Sequence, residues 1–516
     1  MADDVEQCRA ALKRCPHGDS DRPQSLSNLA ICLRDRFMQQ GIPSDIDESI
    51  ELHRAALLLH PSGHSDRPKS LHNLAVSLQD RFTKQGVPSD LDECIELNRA
   101  ALLLRPLGHF DRSHSLNNLA NSLQDKFTHR GVLCDLDESI ELHRAALLLR
   151  PPGHSDRSHT LNNLAASLQD RFNQRGILSD LDECIELNRA ALLLRPPGHS
   201  SRSHSLNNLA NSLGNRFNQR GVPSDLDECI ELHRAALLLR PVGHPDRSHS
   251  LHNLAVSLQD RFTQQGVPSD LDECIELNRA ALLLRPPGHS GRSHTLNNLA
   301  NSLGNRSSQR GIPSDLDECI ELHRAALLLR PPGHPNQSHS LHNLANSLGN
   351  RFNQRGISSD LDECIELNRA ALLLRPLGHP DRSHTLNNLA NSLGNRFSHQ
   401  GVPSDLDDCI ELHRAALLLR PPGHPNQSHS LHNLAVSLRD RFTLQGIPSD
   451  IDESIELHRA ALLLRPSGHS DRPKSLNNLA SSLRDRFTQR GVSSDLDESI
   501  ELDQAALLLC SPDHSN

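Results

Sequence analysis

The sequence predicts an all-α chain, a right-handed superhelical solenoid of antiparallel helix hairpins with a 45-residue period. Three observations carry that expectation. Glycines recur 45 residues apart, from Gly41 through Gly86, Gly131, Gly176 and Gly221 to Gly491. Between them two apolar patterns alternate, each with the period of an amphipathic helix. Hydrophobic residues make up 36% of the 516, with no Trp and no Tyr, so regularly spaced aliphatic side chains must supply the core. A hairpin of this size cannot bury its own apolar faces, but stacked hairpins can.

The elements follow in order. Residues 3–15 read as a lone helix of the second type, with Lys13 and Arg14 where other repeats carry Leu. Polar replacement of that kind suits a cap, here assigned to residues 1–16. The first helix of the unit is clear from Asp111 onward, where Leu116, Leu119, Leu123 and Phe127 share one face. Gly131 then stands where a helix C-terminus calls for it. In the second helix, "SDLDECIELNRAALLLRP", Asp90 and Glu93 have capping-box spacing and Ser89 is an alternative cap. Acids fill its first turn, Arg105 its last, and Pro106 stops it. Its apolar stripe is Leu91, Ile95, Leu97, Ala101, Leu102 and Leu104, while Asp92, Glu93 and Glu96 beside Arg99 read as solvated surface with local ion pairs. Counted this way there are eleven first helices and twelve second helices in one array over residues 3–510, with 511–516 a tail. The final helix, "ELDQAALLLC", has no comparably polar cap, which suggests a partner or self-association there. Ser307 interrupts a register otherwise held by Phe, and the array is expected to fray or bend at that point.

Composition narrows the function. The formal net charge of -10 (54 Lys+Arg, 64 Asp+Glu) argues against nucleic acid, which calls for a basic footprint. Thirty-three His make the surface potential pH-dependent. The acidic N-terminus lacks a signal-peptide core, and the "ALLLR" runs are too short to span a bilayer, so a cytoplasmic location without membrane contact is expected. Cys94, Cys184, Cys229, Cys274, Cys319, Cys364 and Cys409 share one register with Ser49, Ser139, Ser454 and Ser499. That exchange asks for a small side chain rather than a disulfide and fits a reducing compartment.

No catalytic constellation, metal site or cofactor is expected. Ser, His and Asp recur together in every repeat, whereas an active site is one arrangement. The His clusters, such as His154 with His159 and His244 with His249 and His252, mix linker and helix positions, and Lys69 and Lys474 replace the helix His in two repeats. Zinc needs three or four converging ligands.

An Asn stands between the two Leu of every first helix, from Asn28 and Asn73 to Asn478. It reads first as a bond to a neighbouring helix or loop backbone and second as a ligand contact. The residue before it is usually Asn or His, and a further Asn recurs three positions on, at Asn121, Asn211, Asn301, Asn346 and Asn391, with Val76, Val256 and Val436 replacing it elsewhere.

The unit resembles the tetratricopeptide repeat. Leu116, Leu119, Ala120 and Leu123 match the family's first-helix positions; Cys94, Ile95, Ala101 and Pro106 match those of the second. The phrase "GHPDRSHSLHNLA" at Gly243–Ala255 looks like the longer repeat of kinesin light chains, and long near-identical arrays of this kind resemble those of basidiomycete fungi. The family's aromatics are replaced, by Leu and by His143 or Asn188, and no heptad region precedes the array. The resemblance implies that first helices line a concave surface whose Asn residues clamp the backbone of an extended peptide. The residues it assigns to that role are Asn117, Asn121, Asn162, Asn207, Asn211, Asn297, Asn301, His342, Asn346, Asn387 and Asn391. An amide offers a peptide group both donor and acceptor whatever the side chains. The function expected is a noncatalytic scaffold for a protein or extended peptide; the alternative is a regulatory or sensor array of a signalling or defence system with its effector elsewhere.

Overall fold

Each 45-residue period folds as a first helix of 19 residues and a second of 16, as in Arg112–Arg130 and Leu133–Leu148. A computed structural model describes residues 2–334, 336–379, 381–424, 426–469 and 471–510. Among them are twenty-three helices and no strand: Ala2–Arg14 alone, then eleven hairpins ending with Ser493–Cys510. The chain divides into two compact units, Met1–Ser257 and Leu258–Asn516, the boundary falling inside the Arg247–Gln265 helix. In each unit a second helix packs on its own first helix and on the next, and consecutive first helices also touch.

Each core layer is shared between hairpins. Phe127, Leu136 and Ile140 from one hairpin meet Leu164, Ala165, Leu168 and Cys184 from the next. Removing the neighbour would therefore expose half of every layer. The tight turn inside the hairpin works as expected: Gly131 adopts φ +70° and donates its N–H to the Phe127 carbonyl at 2.7 Å.

The start of the second helix corrects the capping assignment. Pro88 opens the helix behind an extended Val87, so Ser89 and Asp90 lie inside it and no side chain caps it. The Asp90 carboxylate is buried and held in a fork by Arg81 Nε (2.6 Å) and Nη2 (2.8 Å) from the first helix. The same clamp recurs from Arg36–Asp45 to Arg486–Asp495. At Lys126 the cation cannot fork, and Asp135 Oδ2 is left buried without a partner.

The helix end departs further. Arg105 and its counterparts lie past the last turn and are buried rather than facing solvent as dipole partners; Arg150 is 2% exposed. Arg150 Nε donates to Ser113 Oγ (3.3 Å) in its own hairpin, and Nη1 to Thr160 Oγ1 (2.5 Å) on the next. One guanidinium thus joins three segments, and burial lowers its pKa. The acidic face pairs both locally, through Arg189–Glu186 at 3.5 Å and Arg279–Glu276 at 3.8 Å, and between hairpins, through Arg54–Glu93 at 2.7 Å and Arg130–Asp92 at 2.7 Å. At Asp408 the carboxylate is one methylene short, and Arg369 turns back to Glu366 (3.4 Å). Leu104 leaves the predicted stripe: it is 42% exposed, and Leu103 beside it 84%, a ridge repeated at Leu58, Leu148, Leu193 and onward.

The backbone does not break at Ser307. The Arg292–Arg310 helix runs through it, and Gly311 caps it at 2.8 Å. What changes is the layer around it: Leu316, Ile320, Leu344 and Leu348 pack there without an aromatic ring.

Candidate interaction site

The phrase Leu-x-Asn-Leu buries its leucines, so the Asn between them must lie at the edge of the packed face. Several of these Asn tie their first helix to the one before, whereas Asn343 Nδ2 is buried without a partner. Asn163 Nδ2 donates to Asn121 Oδ1 (3.0 Å), Asn388 Nδ2 to Asn346 Oδ1 (2.8 Å), and Asn118 Nδ2 lies 3.1 Å from His72 Nδ1. The ladder Asn is therefore a strap between hairpins, which decides between its two readings in favour of structure.

The eleven residues assigned to peptide binding fall into two groups. Asn211, Asn301, Asn346 and Asn391 are exposed, and Asn117, Asn121 and His342 are half-buried. Asn162, Asn207, Asn297 and Asn387 are buried in the wall between hairpins, so a direct ligand role for them is corrected. Their amides are already committed. The Asn207 oxygen accepts from Arg240 Nη1 at 2.7 Å while its nitrogen donates to His233 Nδ1 at 3.1 Å. Asn162 does the same for Arg195 (2.7 Å) and Asn188 (3.1 Å), while Asn297 and Asn387 lie 3.0 and 2.9 Å from His323 and His413 Nδ1. These partners stand 26 to 33 residues away, beyond the reach of local pattern. His342 sits 3.1 Å from Asn346, and burial pushes its pKa down to about 4, so it is neutral at pH 7.

The first-helix face carries clefts in both units. In Met1–Ser257, a 360 Å³ cleft is lined by Gln79, Asn118, Asn121, Gln124 and Asp125, and a 170 Å³ cleft by Gln169, Asp170, Asn208 and Asn211. In Leu258–Asn516, a 370 Å³ cleft brings together Asn346, Asn350, Asn353, Asn388, Asn391 and Asn395. The structure thus unites Asn346 with Asn391, and places Asn121 and Asn211 each with other amides. Sequence reasoning missed Gln79, Gln124, Asp125, Asn350 and Asn395. Their signal was present: Gln-Asp at 79–80, 124–125, 169–170 and 259–260 alternates with Gly-Asn at 214–215, 304–305, 349–350 and 394–395.

The thiols behave as small core groups. Cys94 Sγ lies 3.3 Å from Ser122 Oγ, and burial raises its pKa to about 11, against nucleophilic use. At a Ser register Ser139 donates to the Ala120 carbonyl at 2.8 Å instead. Among the described residues, His60, His64 and Asp66 place three possible metal ligands within 4.8 Å. The two rings stack at 4.3 Å, His60 Nδ1 lies 2.7 Å from Ser70 Oγ, and His64 Nδ1 accepts the Asp66 N–H. Stacked rings aim their lone pairs side by side rather than at one point, which suits packing and not chelation.

Paired helices at a fixed period define a helical-repeat protein of the tetratricopeptide or solenoid type, a fold consistent with an interaction surface. The tetratricopeptide-repeat family profile matches residues 158–199. Nearly identical TPR-like repeats of a kinesin light chain from Podosopora anserina are similar at 20% identity, over 44% of this chain and 100% of that one, with a TM-score of 0.33. The human IFIT1 dimer with m7Gppp-AAAA is similar at 15% identity over 99% of both chains, with a TM-score of 0.46, and that with PPP-AAAA at 14% identity over 98% and 99%, with a TM-score of 0.40. No curated protein matches the sequence. The expectation of no nucleic-acid partner, drawn from net charge, does not stand: the IFIT1 chains just described are solved with m7Gppp-AAAA and PPP-AAAA. No helix among the described residues is long and apolar enough to cross a membrane.

Proposed function

We propose that the chain is an interaction scaffold whose first-helix face holds an extended peptide segment of a partner protein. The observation that carries this is the set of amide-lined clefts recurring on that face in both units. Each amide contact is weak, but contacts repeated along one segment add, because the first fixes the position of the next. The four buried Asn position the wall behind the groove, while Asn117, Asn121, Asn211, Asn301, His342, Asn346 and Asn391 make the contacts. The long linker phrase supports the kinesin-light-chain-like repeat subtype, and the exchange of Cys with Ser at one buried register supports a reducing, cytoplasmic setting. A second reading keeps the groove and changes its use: a regulatory or sensor array of a signalling or defence system, passing occupancy to an effector on another polypeptide or on sequence outside this chain. It draws on the recurrence of equivalent clefts without a reaction centre among the described residues.

Changing Asn121, Asn211, Asn301, Asn346 and Asn391 together to Ala should weaken binding of a fluorescent extended-peptide pool by about tenfold or more, at roughly 0.5–1.5 kcal/mol per lost bond. Anisotropy of the labelled peptide suits a chain with no Trp or Tyr. Equal binding by the variant, at unchanged helical circular dichroism, moves the partner to another face. Capture of an oligonucleotide in place of the peptides overturns the peptide reading.

A further inference from the structure

Besides the Arg-Asp pairs at 34–35, 439–440 and 484–485, two kinds of first helix differ in one electrostatic respect. In Gln-Asp hairpins a carboxylate sits on the groove floor; in Gly-Asn hairpins Asn215, Asn305, Asn350 and Asn395 take its place. Within Met1–Ser257 the first such carboxylate is compensated, since Arg34 Nε lies 3.5 Å from Asp80. The next two are not. Asp125 accepts a hydrogen bond from the Gln79 amide, and Asp170 one from Gln124 Nε2 at 2.9 Å. Neither has an ion pair with Lys, Arg or His among the described residues. Each lines its own cleft, Asp125 with Asn118 and Asn121, Asp170 with Asn208 and Asn211. A neutral amide compensates a half-buried carboxylate only in part, and burial accordingly raises Asp125 to about 6 and Asp170 in the same direction. Asp125 remains mostly ionised at pH 7, and in both clefts a bound cation would offset the burial.

We infer that the Asp125 and Asp170 clefts select a peptide carrying two basic side chains, one ammonium or guanidinium in each cleft. The inference rests on the groove reading above and adds to it the charge of the ligand. Packed helix axes stand about 8–10 Å apart, so equivalent residues on successive first helices are spanned by about three residues of extended chain at ~3.3 Å each. The expected segment therefore carries Lys or Arg at positions i and i+3, its intervening backbone within reach of Asn121 and Asn211. The Asn346–Asn391 cleft has no carboxylate in its lining and should not make this distinction.

The test uses the full chain and two labelled peptides of one length, one with Lys at i and i+3 and its twin with Gln at both, in ~0.15 M salt, where charges beyond about 8 Å are screened. The Lys peptide is expected to bind about tenfold more tightly, a difference of ~1.4 kcal/mol. The double variant Asp125→Asn, Asp170→Asn should abolish that preference and leave the Gln peptide unchanged. Asn is the residue Gly-Asn hairpins already carry at this register, so the variant should fold, and circular dichroism checks that it does. A Lys preference surviving in the variant is diffuse attraction to a chain of net charge -10 and overturns the inference. Equal binding of both peptides by the native chain overturns it too, but leaves the groove reading standing. Binding of neither peptide removes both.

Discussion

Acidification from pH 7 to 5 should lower the melting temperature of each unit by about 10 °C or more. The main cause is one core register, to which His72, His342 and His432, also pushed down to about 4 by burial, add their share. His53, His143 and His233 in the first unit and His323, His413 and His458 in the second are buried to 1% exposure or less. Desolvation pushes the first five down to about 4 and His458 to about 3. An unfolded His titrates near 6.5. Above that pH both states are neutral and stability is complete. Below it the unfolded chain takes up protons that the folded one refuses, and the loss grows until the folded rings titrate near 4. At pH 5 each His removes about 2 kcal/mol, or about 6 kcal/mol per unit. Asp125 and Asp260 act oppositely: raised to about 6 by burial, they bind protons more readily when folded and return about 1 kcal/mol each. The histidines outweigh them. Asp272, Asp317 and Asp452, held low by paired Arg, lose their contribution only below the usual carboxylate range, outside this window. Changing the six His to Asn is a conservative control, since Asn98, Asn188, Asn278 and Asn368 hold the same register. Asn98 Nδ2 donates to Ser122 Oγ at 3.1 Å, showing that the site accepts an amide. The Asn variant should lose most of its acid sensitivity in thermal melts followed by circular dichroism. An undiminished drop would place the titrating groups at the surface.

How much of this was legible beforehand depends on the range of each interaction. Leu116, Leu119, Leu123 and Phe127 announce a helix face within twelve residues, and Gly131 its end, so the hairpins were readable from local pattern alone. The start of the second helix was misread because Ser89 and Asp90 carry side chains typical of a cap, while Pro88 already opens the helix one residue earlier. Arg150 looked like an ordinary last-turn cation; its burial follows from Ser113 and Thr160, on two different hairpins. The run "AALLL" does not itself say which Leu faces out, and only the packed register puts Leu103 into solvent. At the site, Asn346 and Asn391 line one cleft. Asn207 and Asn387 recur just as regularly for a different reason, because a buried Arg and a buried His need the same amide. Periodicity marks a constraint without telling a ligand from a neighbour.

Replacing Ser307 by Phe should stabilise the Leu258–Asn516 unit by about 2–4 kcal/mol and raise its melting temperature by about 5 °C or more. Two costs are removed together. The Ser307 hydroxyl is 0% exposed with no hydrogen-bond partner, a penalty of roughly 1–3 kcal/mol. The ring that its register carries elsewhere is also missing, and burying a Phe side chain is worth about 1.5–3 kcal/mol. Phe352, one hairpin on, shows the packing to be restored: it meets Leu361, Ile365, Leu389 and Leu393. Opposing these gains is any closure of Leu316, Ile320, Leu344 and Leu348 around the small residue, since forcing a ring into a closed core costs about 1–3 kcal/mol. Ser307→Ala separates the contributions, because it removes the hydroxyl without adding volume and should recover about 1 kcal/mol. Hydrogen exchange along Arg292–Arg310 should slow in the Phe variant, and proteolysis of the native chain should cut first within this hairpin, where the shared layer is thinnest. A Phe variant less stable than the Ala variant would mean that the layer has already repacked around Ser307, and the first proteolytic cut should then fall elsewhere.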